Sequence, residues 1–162
     1  MSRFFSSYAV NVDDKSRVSV PPRFKQALKA QESKEICLFE NPNSNAIEGC
    51  GSAYWEFMNE EIEKMERYGE EREFWEAILA TASISRFNES DTRILLPEDL
   101  KAHAGIVDSA VFAGRGTTFE IWNPPAFQAA RTEARSWGRA NRPTLSGFTV
   151  GAKNLSRWSA SQ

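Results

Sequence analysis

Residues 8–12, Tyr-Ala-Val-Asn-Val, alternate apolar and polar side chains, the pattern of a strand with one buried face. Asp14-Lys15-Ser16 is turn chemistry, and residues 17–20 read as a second strand. Pro21 and Pro22 stop that strand and pre-set φ for a helix start, after which Phe24 and Leu28 share one face of a short helix. Residues 36–40 and 46–48 give two more strands. The same order then returns. Residues 84–87 are strand-like, a turn follows, and residues 93–96 form a second strand. Next comes a short helix with Glu98 and Asp99 in its first turn and Gly105 at its C′ position. Residues 109–114 and 119–122 make a hairpin around Arg115-Gly116-Thr117-Thr118.

Helices join and follow these strands. Across 53–67, Trp55, Met58, Ile62 and Met65 step by three and four and so form one stripe. Gly69 interrupts, and 70–81 resumes with Phe74, Trp75, Ile78 and Leu79. Asn123 caps and Pro124 opens a last helix, with Phe127, Ala130, Ala134 and Trp137 on its expected buried face and Gly138 as its expected end. Residues 139–162 are rich in Ser, Gly, Asn and Arg without a period, and a mobile, solubilising tail is expected there.

The recurrence is visible in the letters themselves. Asp13-Asp14-Lys15-Ser16-Arg17-Val18-Ser19-Val20-Pro21-Pro22-Arg23-Phe24-Lys25 matches Glu89-Ser90-Asp91-Thr92-Arg93-Ile94-Leu95-Leu96-Pro97-Glu98-Asp99-Leu100-Lys101. Ile36-Cys37-Leu38-Phe39 parallels Ala110-Val111-Phe112-Ala113, and Ile47-Glu48 followed by Trp55 parallels Phe119-Glu120 followed by Phe127. Three blocks in one order indicate a tandem duplication. The expected organisation is a first unit over 7–53, a helical connector over 54–82, a second unit over 83–126, a helix over 127–138 and a tail over 139–162.

At 162 residues, with 41% hydrophobic and 26% charged positions, the chain suits one ordinary globular domain. No apolar run approaches the roughly 18–20 residues of a membrane-spanning helix, and the N-terminus lacks a secretory pattern. Cys37 and Cys50 are too few for a disulfide scaffold or a four-ligand zinc site, and reduced thiols in a cytosol are expected; Cys50 falls in a Gly-rich stretch and reads as a loop residue. The single histidine, His103, reads as a packed or capping residue, which leaves metal and Ser/His/Asp chemistry without its usual parts. Residues 114–118 lack the Gly-Lys-Ser/Thr end of a phosphate loop. No acid, base and nucleophile converge, so neither an enzyme nor a cofactor, metal or small-molecule substrate is expected.

The net charge of −2 conceals blocks. Residues 1–30 hold six cations and two carboxylates, a balance of +4. Residues 56–76 hold nine glutamates against three cations, a balance of −6 and the pattern of an exposed face; residues 131–162 carry +5. A polyanion responds to such local fields rather than to the total. Either the basic blocks are solvated surface or the first one binds nucleic acid. The acid-x-x-x-Arg spacing leaves a similar choice. Asp13 can close a turn and pair with Arg17 as plain structure, or it can orient Arg17 beside Lys15 on a projecting loop suited to phosphates and guanine edges.

Several motifs together resemble a known family. Arg3-Phe4 with Ser6, then Asp13, Lys15 and Arg17-Val18-Ser19-Val20-Pro21, then His103-Ala104-Gly105-Ile106, Val111, Phe112, Gly114 and Phe119-Glu120-Ile121-Trp122 resemble the MraZ family of bacterial regulators over roughly residues 1–135. The resemblance implies an α+β, mainly β fold: a tandem-duplicated SpoVT-AbrB swapped-hairpin β-barrel with flanking helices, completed by the two repeats of one chain. It implies a cytoplasmic, nucleoid-associated regulator that binds promoter direct repeats on double-stranded DNA as a ring-like homo-oligomer and represses its own division and cell-wall gene cluster. Lys15 and Arg17 are the DNA-contacting residues it carries over, with Arg23 and Lys25 added from charge and nearness in sequence. Asp13, Glu89 and Arg93 are the motif residues with structural duty. The family pattern has Gly before each motif Arg, where this chain has Ser16 and Thr92, and Asp where it has Glu89; these departures bear on the shape of both turns. A ring that binds protein partners through its acidic helices is the alternative function.

Overall fold

The computed structural model describes residues 2–88, 90–145 and 148–149. Strand β1 (Ser7–Asn11) and strand β2 (Arg17–Ser19) flank the first turn, followed by α1 (Pro22–Ala30), β3 (Glu35–Glu40) and β4 (Ile47–Cys50). Helices α2 (Ser52–Glu63) and α3 (Glu70–Leu79) connect to β5 (Ser83–Arg86), β6 (Arg93–Leu95), α4 (Glu98–Ala104), β7 (Ser109–Gly114) and β8 (Phe119–Trp122). Pro21 and Pro97 precede the two short helices at the same place in each unit, and Gly105, at φ 64°, ends α4 as its lack of a Cβ permits.

The strands interleave. β1 pairs with β7 of the other unit, β5 pairs with β3, and β4 pairs with β8. One antiparallel sheet of order β1-β7-β8-β4-β3-β5 results, while β2 and β6 leave it and pair with each other. Two registers sit on a pseudo-twofold axis: Val18 lies opposite Ile94, and Glu48 opposite Glu120, each residue facing its own counterpart in the duplication. The fold is therefore α+β with two repeats that complete each other. The barrel is not closed by hydrogen bonds: β1 and β5 stand at the edges of the six-stranded sheet, because the strands that would bridge them form a separate ribbon.

The inner face of the sheet, the ribbon and the two short helices enclose one core, with Phe4, Phe24, Phe112 and Phe119 in mutual edge and stacked contacts around Val18, Leu38, Ile94 and Leu100. On the outer face of β3 and β4, Cys37, Phe39 and Cys50 pack with Trp55 and Met58 of α2 and with Trp75 and Ile78 of α3. Cys50 is thus not in a loop. It lies on β4, fully buried and directly opposite Cys37, because the strand extends past Glu48 to the start of α2.

The chain divides after residue 124. In the second part, α5 (Pro124–Asn141) runs through Gly138 rather than stopping there, since three further residues continue its helical geometry. Among the described residues none of this helix is buried, and Trp137 is 59% exposed, so the expected buried face is not seen. Of the expected tail, residues 144–145 and 148–149 pair as a small antiparallel ribbon; residues 146–147 and 150–162 lie outside the described residues.

Candidate nucleic-acid interface

The first turn is built around one carboxylate. Asp13 Oδ1 accepts the backbone N–H of Lys15 at 3.0 Å and of Arg17 at 2.8 Å, while Oδ2 accepts Nε of Arg17 at 2.9 Å. These bonds favour the ionised form: the Arg17 amide, ahead of the Arg17 side chain and the Lys15 amide, holds the Asp13 carboxyl below the usual aspartate value. Ser16 occupies the left-handed region at φ 61°, the conformation for which glycine is the cheap residue. Its side chain compensates for the missing glycine. Ser16 Oγ donates to Glu98 at 2.9 Å and accepts from Lys101 Nζ at 2.9 Å, and Leu96 N–H donates to the Ser16 carbonyl. The first-unit turn is therefore buttressed by the second unit's helix. Lys15 is exposed at its tip and Arg17 is half-buried at its exit.

The second turn does the same work with different parts. Asn88 Oδ1 accepts the N–H groups of Ser90 at 2.7 Å and Asp91 at 2.9 Å, and closes the turn. Asp91 Oδ1 accepts both the amide of Arg93 at 3.1 Å and its Nε at 3.2 Å. The Arg93 amide is the main reason the Asp91 carboxyl lies below its usual value, and the charge of Arg17 adds to the effect. Glu89, aligned with Asp13 in sequence, lies outside the described residues. The two duties of Asp13 are divided here between Asn88 and Asp91, and the connection from β5 to β6 is one residue longer than that from β1 to β2.

The turns meet on the β2–β6 ribbon. Val18 and Ile94 point into the core, so alternation puts Arg17, Ser19, Arg93 and Leu95 on the outward face. Arg23 and Lys25 sit elsewhere, on α1. Arg23 lines a depression of about 290 Å³ with Arg3, Phe5, Ser6, Tyr8 and Gln26. Lys25 lines a cleft of about 250 Å³ with Pro22, Gln26, Lys29 and Phe87, and so neighbours the second turn rather than the first. The structure brings Lys15 and Arg17 together and adds Arg93 to their face, but gathers Arg23 and Lys25 into neither concavity with them. The ribbon was hidden from the sequence because β2 pairs with a strand 76 positions away along the repeat, which no local pattern encodes.

Among the described residues no group of three or more His, Cys, Asp or Glu side chains could hold a metal, and no helix is long and apolar enough to cross a membrane. His103 packs with Nδ1 at 3.8 Å from Glu40.

No family model matches the chain. Curated relatives do. Transcriptional regulator MraZ of Rickettsia akari is 34% identical over 145 residues, 90% of this chain and 97% of the relative. The proteins of the same name from Rickettsia canadensis and Rickettsia bellii are 34% and 33% identical over the same length, covering 97% and 95% of those relatives. The chain belongs to the MraZ family of transcriptional regulators. The likeness covers nearly the whole length of each relative.

Proposed function

We propose that the chain is a sequence-specific double-stranded-DNA-binding regulator that represses its own division and cell-wall gene cluster and grips promoter direct repeats as a ring-like homo-oligomer. The observation that carries this reading is the first turn: Asp13 closes it by accepting the Lys15 and Arg17 amides and holds the Arg17 side chain through Nε, while Lys15 projects beside it. A guanidinium held in one direction suits the paired acceptors of a guanine edge, and a flexible ammonium suits a phosphate. Arg23 and Lys25 on α1 add charge at the flanks. One turn is a small contact, so affinity comes from several protomers on repeated sites. Exposed Phe57, Tyr68, Phe74 and Val107 offer apolar surface for self-association.

The test is fluorescence anisotropy with DNA from upstream of the chain's own gene and a scrambled duplex, at two salt concentrations. Selective binding that weakens with salt is expected, with Arg17→Ala losing roughly ten- to a hundredfold on the specific duplex. Equal, weak binding to both duplexes with intact assembly would instead favour a protein-binding ring.

A further inference from the structure

Cys37 and Cys50 are the only cysteines in the sequence, and the fold sets them face to face. Both are free and fully buried, on adjacent antiparallel strands. The Asn41 amide donates to the Ala46 carbonyl at 3.0 Å, one step past the end of the β3–β4 ladder. Hydrogen-bonded pairs recur at every second position of such a ladder, so Cys37 and Cys50 in the same register are again a hydrogen-bonded pair. The Cα atoms of such a pair stand about 5.5 Å apart, the separation at which disulfides most often form. Directly opposed residues leave the sheet on the same face, and both thiols enter the layer covered by α2 and α3.

Burial alone would make each cysteine an inert small hydrophobe. The two sulfurs, however, already interact. The thiols hydrogen-bond each other, which holds the Cys37 thiol below its usual value against the opposing effect of burial and pushes Cys50 up. Cys37 is the better nucleophile of the two, and Cys50 keeps its proton beside it. The cover over the pair is thin. Among the described residues, α2 buries Ile62, and α3 buries Arg72 and Ile78. Trp55, Met58 and Trp75, which pack on the cysteines' cluster, are themselves only partly buried. Elements with few buried apolar contacts open locally at far less cost than global unfolding. A small neutral oxidant then reaches the sulfurs while the β3–β4 pairing persists.

We propose that Cys37 and Cys50 are a redox modification site, closed to an intramolecular disulfide by hydrogen peroxide that enters when α2 and α3 lift from the sheet. The Cys37 thiolate attacks one peroxide oxygen; the O–O bond breaks, a sulfenic acid forms on Cys37, and the departing hydroxide takes the Cys37 proton and leaves as water. Cys50 then attacks that sulfur; the S–S bond forms, the S–O bond breaks, and the Cys50 proton leaves with the hydroxyl group as a second water. Two thiols are oxidised and one peroxide is reduced. A dithiol restores both thiols by exchange. Cys50 lies just before Ser52, the first residue of α2, so the bridge ties the start of that helix to β3. The site is on the face of the sheet opposite the core that holds Val18 and Ile94, and it does not depend on the DNA-binding reading.

The experiment exposes the folded full chain to hydrogen peroxide, alkylates the remaining thiols in denaturant, and maps the peptides by mass spectrometry. A mass lower by two hydrogens, no alkylation, and one cross-linked pair of peptides carrying Cys37 and Cys50 are expected, all reversed by dithiothreitol. Cys50→Ala should stop at a sulfenic acid on Cys37, captured by dimedone. Ile78→Ala thins the cover and should speed closure several-fold. A folded chain that keeps both thiols open to alkylation, under peroxide that closes the pair in urea, would overturn the inference. So would bridges between chains, or sulfinic acid on either cysteine without a disulfide. Equal rates in Ile78→Ala and wild type would overturn entry through the helical cover. Should Cys50→Ala fail to fold, the wild-type peptide map decides without it.

Discussion

The two turns solve one problem with different chemistry. Each must hold an arginine at the start of a three-residue strand and deliver that strand to the same ribbon. In the first unit one aspartate closes the turn and clamps Arg17, and Ser16 takes a left-handed step anchored by Glu98 and Lys101. In the second unit Thr92 stands at the matching position, and a β-branched residue tolerates that step badly. Thr92 is not left-handed; the chain spends one more residue on the connection, and Asn88 and Asp91 share the carboxylate's work. What survives duplication is the outcome, an arginine leaving each turn on the outward face, while the turn chemistry drifts. The backbone contacts across the units persist too: Ser16 and Thr92 carbonyls accept the amides of Leu96 and Val20 from the opposite unit. Each turn is thus supported by the other repeat, so the comparison can be broken at the shared ribbon or sharpened at either turn.

The ribbon core should give the largest effect. Ile94 is 3% exposed and sits opposite Val18 on the pseudo-axis. Ile94→Ala is expected to cost about 2–4 kcal/mol in urea denaturation. Because the ribbon is shared, it should also weaken DNA binding through Arg17, although Ile94 belongs to the other unit. A destabilised variant whose folded fraction still binds DNA with wild-type affinity would show the two turns to be independent.

Next comes the clamp itself. Asp13→Asn keeps an acceptor for the backbone amides but removes the ion pair, and specific DNA affinity should fall roughly tenfold. Asp91→Asn should fall by less, because Arg93 is held by one oxygen. The acid limit of both turns has a defined sign. A carboxyl whose folded pKa lies below its unfolded value contributes stability above the ordinary aspartate value near 3.9, lost as pH falls through the depressed folded value. Wild-type turn geometry, read from the amide shifts of Lys15 and Arg93, should therefore persist below pH 4. Loss of both signals at pH 5 would contradict the hydrogen-bond origin of the shifts.

Ser16 separates the turns more finely. Ser16→Ala keeps the left-handed backbone and loses the bonds to Glu98 and Lys101, at an expected cost of about 1 kcal/mol. Ser16→Gly loses the same bonds but relaxes the backbone, and should lie within about 0.5 kcal/mol of wild type. Thr92→Gly has no left-handed residue to relieve and should only destabilise, by about 0.5–1 kcal/mol. A stabilising Thr92→Gly would mean that the second turn is strained after all.

How much of this was legible follows from the range of each interaction. The strands at 109–114 and 119–122, the Gly105 cap and the proline-opened helices are local signals, and they stand where the letters put them. The family resemblance, and not the duplication alone, implied the mutual completion of the units. Pairing across the axis was not legible, since the match of β2 to β6 depends on where two distant turns deliver their strands. Nor was the role of Asp91, because the sequence alignment through Arg93 placed Glu89 opposite Asp13, whereas the one-residue extension shifts the bonding groups to Asn88 and Asp91. Cys50 misled for a related reason: its glycine neighbours suggest a loop, yet Gly49 lies against the Phe119 ring, where a Cβ would stand 2.3 Å from it, and so belongs to a packed strand.

The smallest effect lies at the other pole of the pseudo-axis, where the duplication placed two like charges opposite each other. Glu120 is 5% exposed, yet it is bonded by Asn41, Arg115 and Trp122. Among the described residues, Glu48 is hydrogen-bonded by the Thr118 hydroxyl, at 3.1 Å. Burial, and secondarily the charge of Glu120, raise the Glu48 carboxyl above the usual glutamate value despite that hydrogen bond. A carboxyl raised in the folded state contributes stability below its unfolded value, near 4.3, and that contribution is lost as pH rises through the folded value. Glu48→Gln retains an acceptor for Thr118 and removes the charge. It should stabilise the fold at pH 7 by about 0.2–1 kcal/mol, the range for relieving a like-charge pair across strands, and by much less at pH 4. Urea midpoints at the two pH values measure this. Equal gains at both would assign the effect to packing rather than to charge, and a loss at pH 7 would mean that ionised Glu48 is held by the Arg115 side of the cluster more strongly than Glu120 repels it.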